Sequence, residues 1–233
     1  MNKTAVSIWN SLAGFIYPRL CLGCNRRLLA QENVLCIECT ELLPQTNYHH
    51  VKDNATFQRL EGRVELNFAT SLGYYTKEGL LQYLIHELKY KRNEDAGKFM
   101  GQKLANALKN IDWIKDVNLI VPVPLHKHKQ QARGYNQSAI IANVIAKNRG
   151  VRLSIGNLIR IVDTDSQTTK GREQRLENMK EAFIVQNKPE FASKHILLVD
   201  DILTTGATIE QCALIMQQAG ASKVSIATVG VAI

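Results

Sequence analysis

The chain has 233 residues, 45% of them hydrophobic and 21% charged, with a formal net charge of +8. That length buries a full core and fits one large domain, or one domain with a small module. The composition excludes an extended disordered or low-complexity protein, and the positive surplus permits phosphate-bearing or nucleic-acid partners without requiring them.

The chain opens with "MNKTAVSIWNSLAGFIYPRL", an apolar stretch interrupted by Asn10, Ser11 and Gly14. It is too short and too polar to span a bilayer, and no small-residue cleavage site follows it. The expectation is an amphipathic helix or tether packed on the body, with no membrane span. In the absence of an export signal the expected location is the cytoplasm.

Four of the five cysteines follow in "CLGCNRRLLAQENVLCIEC". Cys21/Cys24 and Cys36/Cys39 are two C-x-x-C turns, a spacing that aims four thiolates at one tetrahedral centre and suits structural Zn²⁺. The alternative is a pair of disulfides, which a reducing cytosol disfavours. So short a segment has too little apolar core to fold alone, so metal binding would supply much of its stability. His49 and His50 lie ten residues on and read as solvated loop residues; Cys212 reads as a small buried apolar side chain. The expected organisation is an apolar segment with a zinc module over residues 1–50 and a larger domain over 60–233.

From about residue 62 strand and helix patterns alternate. "VELNFATSLGYY" reads as a strand, and "KEGLLQYLIHELKYK" as a helix with Leu80, Leu81, Leu84, Ile85 and Leu88 on one face. "AGKFMGQKLANALKN" is a second helix and "VNLIVPVP" a buried strand of the parallel type. "QSAIIANVIAKNRG" is a helix closed by Gly150. "HILLVDD", "GATIEQCALIMQQAG" and "KVSIATVGVAI" complete the alternation as strand, helix and strand. This order predicts an α/β fold, a mostly parallel sheet flanked by helices, with ligands at the carboxyl ends of the strands.

Two of those strands end in notable residues, one in "VPVP" and one in "VDD". Asp200 and Asp201 are adjacent carboxylates that repel unless hydroxyls or a cation satisfy them. A ribose diol and Mg²⁺ would do so. Thr204, Thr205, Gly206, Ala207 and Thr208 then form a tight turn into a helix, a cradle for a phosphate. A diol site beside a phosphate site has the shape of a ribose 5-phosphate. Neither a G-x-G-x-x-G turn nor a G-x-x-x-x-G-K-[ST] loop is present, which weakens rival nucleotide sites.

"ILLVDDILTTGAT" resembles the phosphoribosyl pyrophosphate (PRPP) signature of type I phosphoribosyltransferases. More narrowly, the chain resembles the ComF family, which pairs that domain with an N-terminal four-cysteine module. The resemblance rests also on "CLGC…CIEC", "VPVPLHKHKQQARGYNQSAIIA" and "SQTTKGREQRLENMKEAF". It implies that Asp200 and Asp201 hold the ribose hydroxyls and Mg²⁺, and that residues 204–208 hold the 5-phosphate. Arg133 and Gly134 would meet the pyrophosphate. Gln167, Arg172, Arg175 and Asn178 would form a hood, and Lys89 matches a family position. The stretch before Arg133 departs from the family in having fewer arginines. The implied reaction is displacement of pyrophosphate at ribose C1, stabilised by cations and N–H groups, with no protein nucleophile. Three functions are consistent with this pattern. One is a phosphoribosyltransferase with an unidentified acceptor; another is a non-catalytic PRPP or nucleotide sensor. The third, implied by the family's link to competence, is a DNA-uptake factor that handles single-stranded DNA beside a helicase-like partner.

Overall fold

The computed structural model describes residues 18–162 and 182–233. By backbone contacts the chain forms two compact units, one ending at Leu43 and one running from Pro44 to Ile233.

The first unit is built around sulfur rather than carbon. An antiparallel bridge between Leu20 and Arg27 closes the first cysteine turn, helped by Asn25 in the left-handed region at φ 60°, which asparagine tolerates. Ile37–Glu41 forms one short helix, α1, whose N-cap is Cys36. Glu32 ties the two halves together. Its buried carboxylate accepts from the N–H groups of Leu29 at 2.7 Å and Ile37 at 2.9 Å, and it pairs with Arg26 at 3.4 Å. The two backbone donors, with Arg26, hold its carboxyl below the usual carboxylate range.

In the second unit, Asn54 caps helix α2 (Ala55–Gln58), its side chain accepting from Thr56 and Phe57 N–H. Strand β1 (Phe68–Tyr75) leads into α3 (Leu80–Tyr90) and α4 (Glu94–Ala107). After β2 (Leu119–Pro122) come α5 (Lys127–Arg133), α6 (Gln137–Arg149) and β3 (Arg152–Leu153). Strands β4 (Leu158–Arg160) and β5 (Phe183–Val185) pair antiparallel. Helix α7 (Lys188–Phe191), β6 (His195–Leu203), α8 (Ala207–Gln218) and β7 (Lys223–Ala232) follow. The five long-range strands form one sheet in the order β1-β7-β6-β2-β3, and every pairing in it is parallel.

Both faces of the sheet are covered, which is why its central strands are apolar throughout. The period-2 alternation divides them. Leu119, Val121, Ile196, Leu198, Val224 and Ile226 join one core with Leu60, Phe191, Cys212 and Met216. Ile120, Leu197 and Val199, their neighbours in sequence, are equally buried and face the other way. Helices α4 and α6 come close together at two glycines. A β-carbon on Gly97 would lie 3.0 Å from Ile140 Cγ2, and one on Gly101 3.0 Å from Val144 Cβ and 3.2 Å from the Ile141 carbonyl.

The elements read from the sequence are present, with shifted ends. Residues 64–67 precede the first strand rather than belong to it, although Val64 and Leu66 are still buried. Asn93 caps the second helix, which starts two residues earlier than the periodicity indicated. Residues 127–133, to which the periodicity assigned no element, are helical. Among the described residues no helix is long and apolar enough to cross a membrane.

Candidate functional site

The two carboxylates lie inside β6, which continues beyond them to Leu203. Asp200 sits opposite Thr228 of β7. Both are buried, at 9% and 3% exposure, so their like charges cost the fold unless they are answered. The protein supplies the answer to each separately. Ser138, at the start of α6, donates its Oγ–H to Asp200 Oδ1 at 2.7 Å, and the N–H of Asp201 donates to the same oxygen at 2.9 Å. Asp201 Oδ2 pairs with Lys89 Nζ at 2.8 Å. Burial first, then the charge of Asp201, pushes the Asp200 carboxyl up to about 7, against the pull of Ser138 and Lys89.

The family resemblance marked Lys89 without explaining it. Its place in the last turn of α3 puts an ammonium on the acidic pair, where the negative end of the helix dipole also favours a cation. Ser138 was missed altogether. Its only signal was a small polar residue at a helix start, beside Asn136, whose side chain caps α6 by accepting from Ser138 N–H.

Beyond the carboxylates, Thr204–Thr208 wraps a small cavity of about 60 Å³ that Asp200 also lines. Gly206 stands at φ 82° as the N-cap of α8, and the nearest side-chain acceptor is Thr205 Oγ1, 3.5 Å from the Ala207 N–H. A β-carbon there would come within 2.7 Å of Leu60 Cδ2. Two arginines brace the turn from outside. Arg59 donates to the Thr204 carbonyl at 2.9 Å, and Arg63 donates to the Thr205 carbonyl at 2.6 Å while pairing with Glu210. No motif singled out either residue, because their partners are backbone atoms some 140 positions away in sequence.

Arg133 lies at the end of α5, where it donates to Gln137 Oε1 at 2.7 Å and stands 5.6 Å from the centre of the Tyr90 ring. Gly134 follows in the left-handed region at φ 89° and lets the chain turn from α5 to α6. Tyr135 donates its hydroxyl to the Leu88 carbonyl. Lys89, Arg92, Lys129 and Arg133 thereby line one open cavity of about 390 Å³ with Tyr90. Lys89 and Tyr90 also border a second cavity, of about 480 Å³, with Tyr75, Tyr83, His86 and Ile202 among its walls. Gln167, Arg172, Arg175 and Asn178 lie outside the described residues, as does the N-terminal apolar segment.

In the other unit, the four sulfurs of Cys21, Cys24, Cys36 and Cys39 lie within 4.8 Å of one another, and no disulfide joins them. Cys24 Sγ and Cys36 Sγ are 3.8 Å apart. That is the separation, about 3.8 Å, that four thiolates take around a tetrahedral ion with 2.3 Å bonds. Burial raises the Cys21 thiol, but the N–H groups of Cys36, Cys24 and Gly23 outweigh it and bring it down to about 6. The donor set fits a soft, tetrahedral metal ion. His49 and His50 stack on each other in a 3₁₀ turn (Tyr48–His50) of the larger unit.

Residues 135–230 match the phosphoribosyl transferase domain family. Competence protein F of Haemophilus influenzae is 23% identical over 88% of this chain and 94% of its own. Competence protein ComFC of Bacillus subtilis is 24% identical over 87% of this chain and 79% of its own. The DNA utilization protein YhgH of Escherichia coli is 26% identical over 63% of this chain, which spans 65% of that protein. Among solved structures, the glutamine PRPP amidotransferase of B. subtilis superimposes with a TM-score of 0.42 at 16% identity, over 58% of this chain and 26% of that one. A hypoxanthine phosphoribosyltransferase of Staphylococcus aureus gives 0.36 at 18%, over 58% of this chain and 63% of its own.

Proposed function

We propose that the chain, similar to competence proteins F and ComFC and carrying a phosphoribosyl transferase domain match, is a ComF-type protein that binds PRPP and transfers its phosphoribosyl group to an acceptor. The observation that carries the reading is that three candidate subsites share residues. Asp200 lines the cavity of the Thr204–Thr208 turn, and Asp201 is joined by Lys89 to the cationic cavity that this lysine also borders.

Each subsite has a physical task. Asp200 and Asp201 accept hydrogen bonds from the ribose 2- and 3-hydroxyls. The braced turn offers hydroxyls and the N–H groups at the start of α8 to the 5-phosphate. When C1–O breaks, the electron pair leaves with pyrophosphate. Lys89, Arg92, Lys129 and Arg133 would stabilise that growing charge. The acceptor's electron pair forms the new bond to C1 and its proton is released. The cavity bordered by Tyr75, Tyr83, His86 and Tyr90 is where an acceptor would reach C1, and its planar walls suit an aromatic ring.

The buried acidic pair already takes one cation, the Lys89 ammonium, so its chemistry fits a divalent ion. Mg²⁺ bound with PRPP would neutralise phosphate and diol oxygens. Zn²⁺ in the four-cysteine site would be structural, since four thiolates leave no open position. A cytoplasmic setting would keep those thiols reduced and available to the metal.

Calorimetry with PRPP and Mg²⁺ tests the reading. Wild type should bind, and Asp200→Asn with Asp201→Asn should abolish binding while the fold is retained, although the variant leaves the largely buried Lys89 ammonium without its partner. A double variant that loses about 1 kcal/mol yet binds PRPP normally would overturn the site. Release of pyrophosphate over a panel of nucleobases marks a transferase; binding without release marks a sensor. A second reading, handling of single-stranded DNA near a helicase-like partner, draws support from the names of the relatives and from the cationic cavity beside Tyr90. Its mark would be affinity for single strands that falls steeply with salt.

A further inference from the structure

Lys89 stands in two environments at once. Its ammonium is 2.8 Å from Asp201 Oδ2, with the two side chains only 20% and 5% exposed. Its chain also borders the cationic cavity with Arg92, Lys129 and Arg133. With Asp200 and Asp201 adjacent and buried, the ammonium is the countercharge closest at hand for the pair. It therefore sits where any other cation seeking Asp201 has to go. Like charges at contact distance in a poorly solvated site exclude one another strongly.

We propose that Lys89 is a latch that holds the acidic pair closed to divalent metal until an anion in the adjacent cavity draws the ammonium away. This rests on the reading of that cavity as the diphosphate subsite. With no anion present, Lys89 stays on Asp201, and a metal ion meets a carboxylate whose charge is already answered by the ammonium. A diphosphate among Arg92, Lys129 and Arg133 offers the ammonium a doubly charged partner within reach of its four-carbon stem. Once Lys89 turns to it, Asp201 Oδ2 is released to ribose hydroxyls and to the ion. The latch sets an order of binding: metal enters with or after the anion and not before it. It also keeps the buried carboxylates from collecting free divalent ions, and it makes anion and metal bind cooperatively through one side chain.

The test uses Mn²⁺ alone, without PRPP or pyrophosphate, followed by electron paramagnetic resonance of the free ion at pH 8. Wild type should bind weakly at this site. Lys89→Met should tighten Mn²⁺ binding by about tenfold or more, and adding Asp201→Asn to it should remove the gain. Lys89→Arg, which keeps the charge, should behave as wild type. Lys89→Gln replaces the methionine variant should thermal melts show that variant unfolded. Neutral variants that bind Mn²⁺ no more tightly than wild type would overturn the latch, as would a gain that survives Asp201→Asn. Failure of the PRPP reading looks different: wild type would then show no heat with PRPP and Mg²⁺, whatever Mn²⁺ does in the lysine variants.

Discussion

In the unit ending at Leu43, the groups fit to hold an ion are themselves the interior. Three of the four cysteines are buried, and Leu28, Val34, Leu35 and Leu43 are the main carbon beside them. In the unit from Pro44 onward, the carboxylates sit on a sheet whose apolar core, spanning Leu60 to Val231, would close without them. Metal would therefore be a condition of folding in the first unit, while in the second the acidic pair is a burden that the fold carries. The same kind of arrangement, acidic side chains gathered where a cation would relieve them, would contribute to stability in one place and cost it in the other.

The largest break in that comparison comes from the cysteines. Cys36→Ser, or a strong chelator, should remove one equivalent of metal and unfold the first unit. Structural zinc in small modules supplies roughly 10–16 kcal/mol of apparent binding energy. The thermal transition of the larger unit should persist, as elemental analysis paired with calorimetric melts would show. A metal-free protein with an ordered first unit would end the contrast.

Gly206→Ala should come next. At φ 82°, with Leu60 Cδ2 only 2.7 Å from the added carbon, it should cost about 1–2 kcal/mol in backbone strain alone. Because the turn must shift to admit the methyl group, PRPP affinity should fall with it; urea melts and calorimetry read the two effects together.

The burden of the carboxylates has a pH signature. Asp200 is raised to about 7 in the folded protein from an ordinary value near 3.8. Between those limits the folded state holds a proton that the unfolded state has released. Stability from this group therefore falls as pH rises from about 4 to about 7, and levels off above. Asp200→Asn should flatten that slope, so urea melts at pH 5 and pH 8 should differ less in the variant than in wild type. Equal slopes would mean that Asp200 is ionised across the range.

The smallest effect belongs to the brace. The Arg63 side chain is 37% exposed where it pairs with Glu210, so Arg63→Ala should cost about 0.5 kcal/mol. Its greater effect should be on PRPP affinity, because the Thr205 carbonyl loses its anchor; a loss of stability with unchanged affinity would separate brace from site.

Local chemistry accounts for what could be read directly from the chain. Strand and helix periods are set by which side chains seek the core, so the alternating α/β order and the parallel sheet followed from residues 64–233 alone. The paired C-x-x-C spacing placed four sulfurs together because each turn is nearly rigid over four residues. Likewise the adjacent aspartates and the threonine–glycine turn lie within nine residues, where chain geometry leaves little freedom. What tertiary structure decided was the partners. Ser138 reaches Asp200 across 62 positions, and Lys89 meets Asp201 from the end of a helix that packs against the sheet by its leucines. Arg59 and Arg63 grip the Thr204–Thr208 turn by its carbonyls. Such pairings carry no sequence spacing, because they are fixed by how apolar faces pack. Polar groups are then matched across the seam that packing creates, where a buried charge left unanswered would cost too much to keep.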